Sequence, residues 1–427
     1  MNYIFDYVMI PLQIIIVFFT LYYFIIAFFG MWRRNESKIM TPKNTFAIIV
    51  AAHNEEQVIR HLVENLQVLK YPRELYDIFV VADNCKDNTA KIARAAGAIV
   101  YERFNLEERG KGYAMEWMFA KLFKLQRNYD GVIIFDADNL VHVNFLLEMN
   151  NRLCKGEKVI QGYLDAKNPD DTWISGTFAI SFWVVNHIWH LAKYNIGLSS
   201  VLGGTGMCIS TEILRKFGWG ATCLTEDMEF TMKVLLKGIP TTWAHDAIVY
   251  DEKPLTFEQA WRQRKRWAQG HFDIAGRYIP KMLIEGIRQR DVRILDGVFH
   301  LLQPYVLIMS TLFVSSSYVY TIVPFYTNII NQILPIEVMT TVAVGQYVFP
   351  VLILARIGVS KKTWMYAALY PLFIYSWIPI TIIGFLHRND REWSHTEHTR
   401  SISYKDVLQS QNNEFSKEDF LSKQAAK

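Results

Sequence analysis

Cysteine is scarce in this 427-residue chain, which carries only Cys85, Cys154, Cys208 and Cys223. Their spacing makes no CxxC pair and no zinc pattern, so neither a redox dithiol nor a zinc module is indicated. Four reduced thiols are expected. Net charge is also small, formally +4, which leaves no electrostatic footprint for nucleic acid. There is no internal repeat and no low-complexity segment. The polar stretch from Gln409 to Lys427 reads as a frayed end.

Apolar and aromatic residues, by contrast, are abundant, at 51% and 14% of the chain. They crowd into the first thirty or so positions and into the stretch after Phe299, while Pro42 to Gln289 has the composition of a soluble domain. Val8 to Trp32 is a charge-free run of 25 residues followed at once by Arg33 and Arg34. A bilayer core of roughly 30 Å needs about 20 helical residues. A signal-peptide core is shorter, about 7–15 residues, and ends in small side chains. The run therefore reads as a retained anchor, and the arginines place its C-terminal end, and the domain that follows, on the cytoplasmic side. Leu301–Val323 and Val338–Ala355 can also span. Thr363–Leu386 carries Pro371 and Pro379 and has basic residues at both ends. Two later spans plus a re-entrant or interfacial element would keep the C-terminus inside.

The middle alternates strand and helix patterns. Phe46–Ala52, Ile78–Ala82, Ala98–Tyr101 and Val132–Phe135 are short apolar runs of the kind buried on both faces of a sheet. Glu55–Leu69, Thr89–Ala96 and Gly112–Leu125 carry helical spacing between them. The expectation is an α/β fold with a mostly parallel sheet, whose ligands bind beyond the carboxyl ends of the strands.

Polar residues gather at those ends. Asp136 and Asp138, two apart after the fourth strand, would point the same way and offer hard oxygens to Mg²⁺ or Mn²⁺. Asp83 after the second strand could accept a hydrogen bond from a nucleobase or ribose, sit near the metal, or cap a turn. Arg109-Gly110-Lys111-Gly112 precedes a helix and can meet a diphosphate with cations and close backbone approach. Thr225-Glu226-Asp227 opens a helix, with Thr225 as its N-cap. A carboxylate there, Asp227 by preference, could take the proton of an attacking hydroxyl. Gln263-Arg264-Lys265-Arg266-Trp267 lies in the helical stretch Phe257–Ile279, where cations alternate with aromatics in a membrane-surface pattern.

In this order (Asp83, Asp136/Asp138, Thr225–Asp227, Gln263–Trp267) the motifs resemble those of the membrane-bound family 2 glycosyltransferases, which include cellulose, chitin, hyaluronan and poly-N-acetylglucosamine synthases. The resemblance covers roughly Thr45 to Gly270. It implies an α/β fold of the GT-A (Rossmann-like) type with flanking transmembrane and interfacial helices, and inversion at the anomeric carbon. It implies that Asp83, with His53, Asn54 and Glu55, binds the uridine part of a UDP-sugar such as UDP-GlcNAc or UDP-glucose. Asp136 and Asp138 would serve the metal and diphosphate beside Lys111, and Asp227, with Glu226, would be catalytic. Gln263 and Arg266 would hold the diphosphate. Trp267 and the Gly204-Thr205-Gly206 loop would face the acceptor. Gln161, Lys167 and Asn168 match positions near the donor sugar, and Trp393–Arg400 resembles a segment near the active site. The organisation expected is an anchor (1–34), a catalytic domain (42–255), interfacial helices (256–298), membrane segments (299–390) and a tail (391–427).

The acceptor expected is a growing polysaccharide or oligosaccharide, or a lipid that receives a single sugar. Membrane lipid is an expected partner, and a partner subunit or homo-oligomer stays open. A non-catalytic scaffold would lack the carboxylates, all of which are present. Two departures stand out: Ala82-Asp83 replaces the usual acidic pair, and the membrane region is small for a polymer channel.

Overall fold

The computed structural model describes residues 2–34, 40–221, 223–320, 326–390 and 401–406. The readings for Trp393–Arg400 and Gln409–Lys427 lie outside these residues.

Eight strands form one sheet: β1 (Phe46–Ala52), β2 (Tyr76–Asp83), β3 (Ile99–Arg103), β4 (Gly131–Asp136), β5 (Leu140–Val141), β6 (Val159–Ala166), β7 (Met207–Ser210) and β8 (Thr241–Asp251), in the order β3-β2-β1-β4-β7-β6-β8-β5. The first four strands are mutually parallel, as the alternating pattern predicts. β7 runs antiparallel to β4 and β6. That reversal matters for the site. It sets the start of β7 beside the end of β4, with Met207 opposite Ile134.

A helix α1 (Asn2–Phe28) precedes the sheet, and α2 (Ile59–Gln67), α3 (Thr89–Ala95), α4 (Lys111–Leu122), α5 (Phe145–Cys154), α6 (Trp173–Val185), α7 (Ala192–Asn195), α8 (Thr211–Phe217) and α9 (Glu226–Leu235) are interleaved with it. Strand alternation divides the core between two faces. Phe46, Ile48 and Val50 pack with Leu62, Val63 and Leu66 of α2 and Met149 of α5. Ala47 and Ile49 pack with Ala114, Met115 and Met118 of α4 and with Phe230 and Val234 of α9. Each large side chain buried this way contributes about 1.5–3 kcal/mol, and β1 is packed on both faces. The left-handed backbone needed where β1 and β2 turn into their loops falls on Asn54 (φ 56°) and Asn84 (φ 52°), a residue type that tolerates it.

C-terminal to the sheet come α10 (Phe257–Gln289), α11 (Val292–Tyr320), α12 (Ile330–Ile333), α13 (Ile336–Ile357), α14 (Lys361–Ala367), α15 (Tyr370–Tyr375) and α16 (Trp377–Leu386). Phe5–Phe28, Val292–Tyr320 and Ile336–Ile357 are long and apolar enough to cross a membrane. The proline-bearing segment predicted as a broken element is a helix pair bent by 52°, Lys361–Ala367 plus Tyr370–Leu386. Both its ends meet the sheet domain or α10. Ser360 Oγ and Thr363 Oγ1 donate to Asp170 (2.6 and 2.9 Å), and the His387 carbonyl accepts from Gln269 (2.9 Å).

The second half of α1 packs on α11 and its end is held by α7. Phe18, Phe19 and Tyr22 surround the Phe299 ring of α11. Asp296 of α11 pairs with buried Lys193 (2.7 Å) and accepts from the Tyr22 hydroxyl. Asn195 donates to the carbonyls of Phe29 (2.8 Å) and Trp32 (2.9 Å), which caps groups a helix end leaves unpaired. The helix stops before Gly30, where the His187 carbonyl lies only 2.1 Å from the place a Cβ would occupy.

Candidate active site

The end of β4 is the centre of the site. Lys111 Nζ, at the start of α4, donates to the Asp136 carboxylate and to the Gly204 carbonyl (2.7 Å). The Asp136 amide donates to Thr205 Oγ1 (3.1 Å), and Thr205 in turn donates to Asn139. Gln161, fully buried on β6, clamps the same loop from behind. It accepts from the Gly203 amide (2.8 Å) and donates to the Thr205 carbonyl (2.9 Å). Gly204 (φ 82°) and Gly206 (φ 62°) supply the left-handed backbone of this tight entry into β7. A Cβ on Gly204 would lie 3.4 Å from Asp227 Oδ2, so the loop is seated against the first turn of α9.

Glu226 and Asp227 therefore share the site with Asp136 and Lys111. Burial raises the Glu226 carboxyl well above the usual carboxylate range, and the adjacent Asp227 charge raises it further against the pull of Lys111. Burial also raises Asp227, opposed by the Met228 amide that its carboxylate accepts from (2.8 Å) and by Lys111. Burial works against the Lys111 ammonium, but Asp136, Glu226 and Asp227 together hold it above its ordinary value.

The basic run of α10 divides three ways, because successive helical positions point about 100° apart. Arg262 is exposed and pairs loosely with Glu258 (3.7 Å). Arg264 is buried under the bent pair, 4.2 Å from the Phe373 ring centre and hydrogen-bonded to Ser376 (2.8 Å). Arg266 turns toward the carboxylates of Glu226, Asp136 and Asp227, which oppose the lowering of its pKa by burial. A membrane-surface position needs an exposed cation, and Arg264 is instead covered by α15 and α16. Trp267 packs between Phe178 and Phe182 of α6 and stacks on Trp377. The side-chain carbonyl of Gln263 is buried and accepts no hydrogen bond among the described residues.

α10 crosses the Thr225–Asp227 turn at Gly270. A Cβ there would lie 2.3 Å from Thr225 Oγ1 and 3.0 Å from its Cβ. Thr225 does occupy the N-cap position of α9, but its side chain makes no capping bond. It is turned toward α10 instead, which corrects its expected role.

Asp83 stands apart. β1 separates it from β4, about 10 Å of sheet width. Its carboxylate accepts from Arg103 (2.7 Å) and Asn84 (3.2 Å), and its carbonyl meets His53 Nδ1 (2.7 Å). Burial raises its pKa, and Arg103 opposes that. Asn54 and Glu55 line the same loop, where the Glu55 amide donates to Thr89 Oγ1 (2.8 Å). The apolar run that marks the third strand stops at Tyr101, so the sequence pattern does not reveal Arg103. The strand continues to Arg103, in register with Asp83.

Asp138 also differs from expectation. β4 ends at Asp136, so strand alternation does not extend to Asp138. Asp138 sits buried in the following turn, where its carboxylate accepts from Asn139 (3.3 Å) and the Glu252 amide (3.3 Å) and its carbonyl accepts from Lys167 (2.8 Å). Lys167 pairs with Glu252 (3.0 Å), and Asn168 bonds the Lys253 backbone (2.9 and 2.8 Å). These two residues brace the turn from behind. No group of three His, Cys, Asp or Glu side chains able to hold a metal occurs among the described residues. Mg²⁺ is commonly held by one or two carboxylates, with substrate phosphates and water completing its shell. The hard oxygens of Asp136 and Asp138 fit that mode.

Residues 42–270 match the model of the glycosyltransferase-like family 2. The probable glycosyltransferase YdaM of Bacillus subtilis is 27% identical over 285 residues, 65% of each chain. A β-monoglucosyldiacylglycerol synthase of Nostoc sp. is 26% identical over 258 residues (57% of this chain, 52% of the relative). A poly-β-1,6-N-acetyl-D-glucosamine synthase of Staphylococcus aureus is 23% identical over 232 residues (53% and 54%). The chain thus spans about half to two thirds of the curated relatives it matches. Among solved structures, the mannosyltransferase PcManGT of Pyrobaculum calidifontis, in complex with GDP-Man and Mn²⁺, superposes with a TM-score of 0.58 at 16% identity, covering 89% of this chain and 97% of that one. That likeness is one of fold.

Proposed function

The chain belongs to the family 2 glycosyltransferases, and from that premise we propose that it is an inverting enzyme. It transfers a sugar from a UDP-sugar, UDP-GlcNAc or UDP-glucose, to a hydroxyl of a growing glycan at the cytoplasmic face of a membrane. The observation that carries this reading is the meeting of Lys111, Asp136, Glu226, Asp227 and Arg266 at the end of β4.

The roles follow from charge and position. Lys111 and Arg266 hold the donor diphosphate. Asp83, fixed by Arg103, receives the uridine with the His53–Glu55 loop. Asp227 accepts the proton of the acceptor hydroxyl while that oxygen bonds to the anomeric carbon and the bond to the diphosphate breaks, its electron pair leaving on the diphosphate. The raised pKa suits Asp227 to proton abstraction near neutral pH. Glu226 shares that charge environment. Mg²⁺ or Mn²⁺, held through Asp136 and Asp138, would neutralise the departing diphosphate when bound. Gln263 stands with Arg266 on the diphosphate side of α10, and Trp267 and the Gly204–Gly206 loop bound the acceptor side.

Orientation is supported by Arg33 and Arg34 behind α1. It is also supported by the contact of Arg356, at the end of α13, with the Met31 carbonyl (2.8 Å), and by the return of the bent pair to the catalytic domain. Together these favour three spans and a re-entrant pair, with the catalytic domain on the cytoplasmic side.

Nucleotide release from UDP-GlcNAc, UDP-glucose and GDP-mannose, with Mg²⁺ or Mn²⁺ and after EDTA, tests the reading. Metal-dependent release from one UDP-sugar is expected, and release only from GDP-mannose refutes the donor assignment. A second reading, single transfer to a lipid, is favoured by the small membrane region. With one labelled donor, a ladder of products supports glycan extension and a single glycolipid supports the alternative.

A further inference from the structure

A second charged site lies where the anchor leaves the membrane, away from the catalytic carboxylates. Arg33, Arg34 and Arg152 line one shallow cleft with Asn195, Trp243 and His245. Arg33 reaches Asp246, at an exposed pair. Arg34 donates to the Asn195 carbonyl. Arg152 is buried, pairs with Glu157 (3.3 Å) and stacks on the Tyr194 ring (4.8 Å). Arg356 joins them from the end of α13, bonded to the Met31 carbonyl. The cleft is tied to the membrane boundary, because Asn195 also holds the last carbonyls of the anchor, those of Phe29 and Trp32.

We propose that this cleft binds the phosphate headgroup of an anionic phospholipid in the leaflet that faces the catalytic domain. The inference rests on the cytoplasmic orientation argued above, and not on the glycosyl-transfer chemistry. Three guanidinium groups, contributed by the chain behind α1 and by α5, line the cleft, and a fourth, Arg356 of α13, is near enough to act on His245 among them. The acids nearest them are Asp246, Glu157 and Glu148. Guanidinium groups suit phosphate because their paired N–H donors match its oxygens. Basic pockets at the cytoplasmic ends of membrane helices recognise anionic headgroups in this way. His245 is pushed down to about 2, first by burial and then by His187, Arg33, Arg356 and Arg152. Ligation by Asn195 of the anchor's end means that a headgroup here would brace α1 and α13 against the catalytic domain.

The test is native mass spectrometry of the purified full chain in detergent with an equimolar mixture of phosphatidylglycerol and phosphatidylcholine. The wild type is expected to retain phosphatidylglycerol preferentially. The double variant Arg33→Gln/Arg34→Gln, at exposed side chains, should lose that preference by about tenfold. Arg356→Gln gives an independent check at a separate helix end and should weaken it in the same direction. A wild type with no preference, or variants that both keep it, would overturn the proposal. Displacement of the lipid by millimolar inorganic phosphate would make the cleft a soluble-phosphate site and would overturn the lipid assignment. Lipid retention is read by mass, so a failed donor assignment leaves this result interpretable.

Discussion

Gly270 offers a sharp test of how α10 serves the site, because the carboxylate turn it presses on belongs to a different element. In Gly270→Ala the new methyl would start 2.3 Å from Thr225 Oγ1, 2.7 Å from its Cγ2 and 3.0 Å from its Cβ. Rotating the Thr225 side chain to another staggered rotamer vacates only one of the first two positions and leaves the third contact in place. Some of the relief must therefore come from moving α10 or the Thr225–Asp227 turn by several tenths of an ångström to about 1 Å, and misplacement of that size can cost on the order of 10²-fold in rate. Overpacking costs about 1–3 kcal/mol, while alanine in place of glycine inside a helix returns about 1 kcal/mol. The net stability loss is thus small against the activity loss. The expected result is a kcat lowered by roughly ten- to a hundredfold in the nucleotide-release assay. The donor KM should change less than kcat, since Lys111 and Asp136 sit on α4 and β4 and only Arg266 among the groups assigned to the diphosphate rides on α10, and the thermal midpoint should shift by only a few degrees. Adding Thr225→Ala removes two of the three clashing atoms and should restore part of the rate. A Gly270→Ala enzyme with wild-type kcat would refute the claim that α10 registers the catalytic turn.

Asp227→Asn keeps the side chain's shape but removes its basicity, so turnover should fall by about 10²–10⁴-fold with UDP affinity, measured by calorimetry, little changed. Because burial raises Asp227, its deprotonated form is lost at a higher pH than for an ordinary carboxylate; kcat/KM followed from pH 5 to 9 should fall on the acid side. Glu226 is raised as well, so its contribution to stability is present at low pH and is lost as pH rises through the raised value. Glu226→Gln should therefore melt higher than wild type above neutral pH, with the advantage shrinking toward pH 5; an advantage that grows on acidification would reverse the assignment. Arg103→Met strands the buried Asp83 carboxylate and should cost about 3–5 kcal/mol in denaturant unfolding, with a higher KM for the nucleotide-sugar; unchanged stability would mean Asp83 is not held by this pair.

Much of the catalytic domain was legible in the sequence because its information is local. The apolar runs at Phe46–Ala52, Ile78–Ala82 and Val132–Phe135 are strands because residues buried on both faces leave no polar alternation, and the polar residues following them fall at the strand ends. Arg103 was not legible, since one polar position decided whether β3 continued. Strand alternation carried Asp136 and failed at Asp138, because the chain turns between them.

What local pattern could not supply was which distant elements meet. The reversed direction of β7 brings Gly204 to Lys111 and Asp227, and no feature of Met207–Ser210 announces that direction. The cations of α10 look alike in sequence, yet packing sends Arg264 beneath Phe373, Arg266 to the carboxylates and Arg262 to the surface. Hydrophobic periodicity and residue chemistry are properties of short segments, so the composition of the layers and the chemical groups at the strand ends are readable from the chain alone. The tertiary structure alone decided which charges share a buried volume. Pairings such as Asp83 with Arg103, Lys193 with Asp296 and Gly270 with Thr225 join residues from 20 to 103 positions apart, and only close packing fixes them.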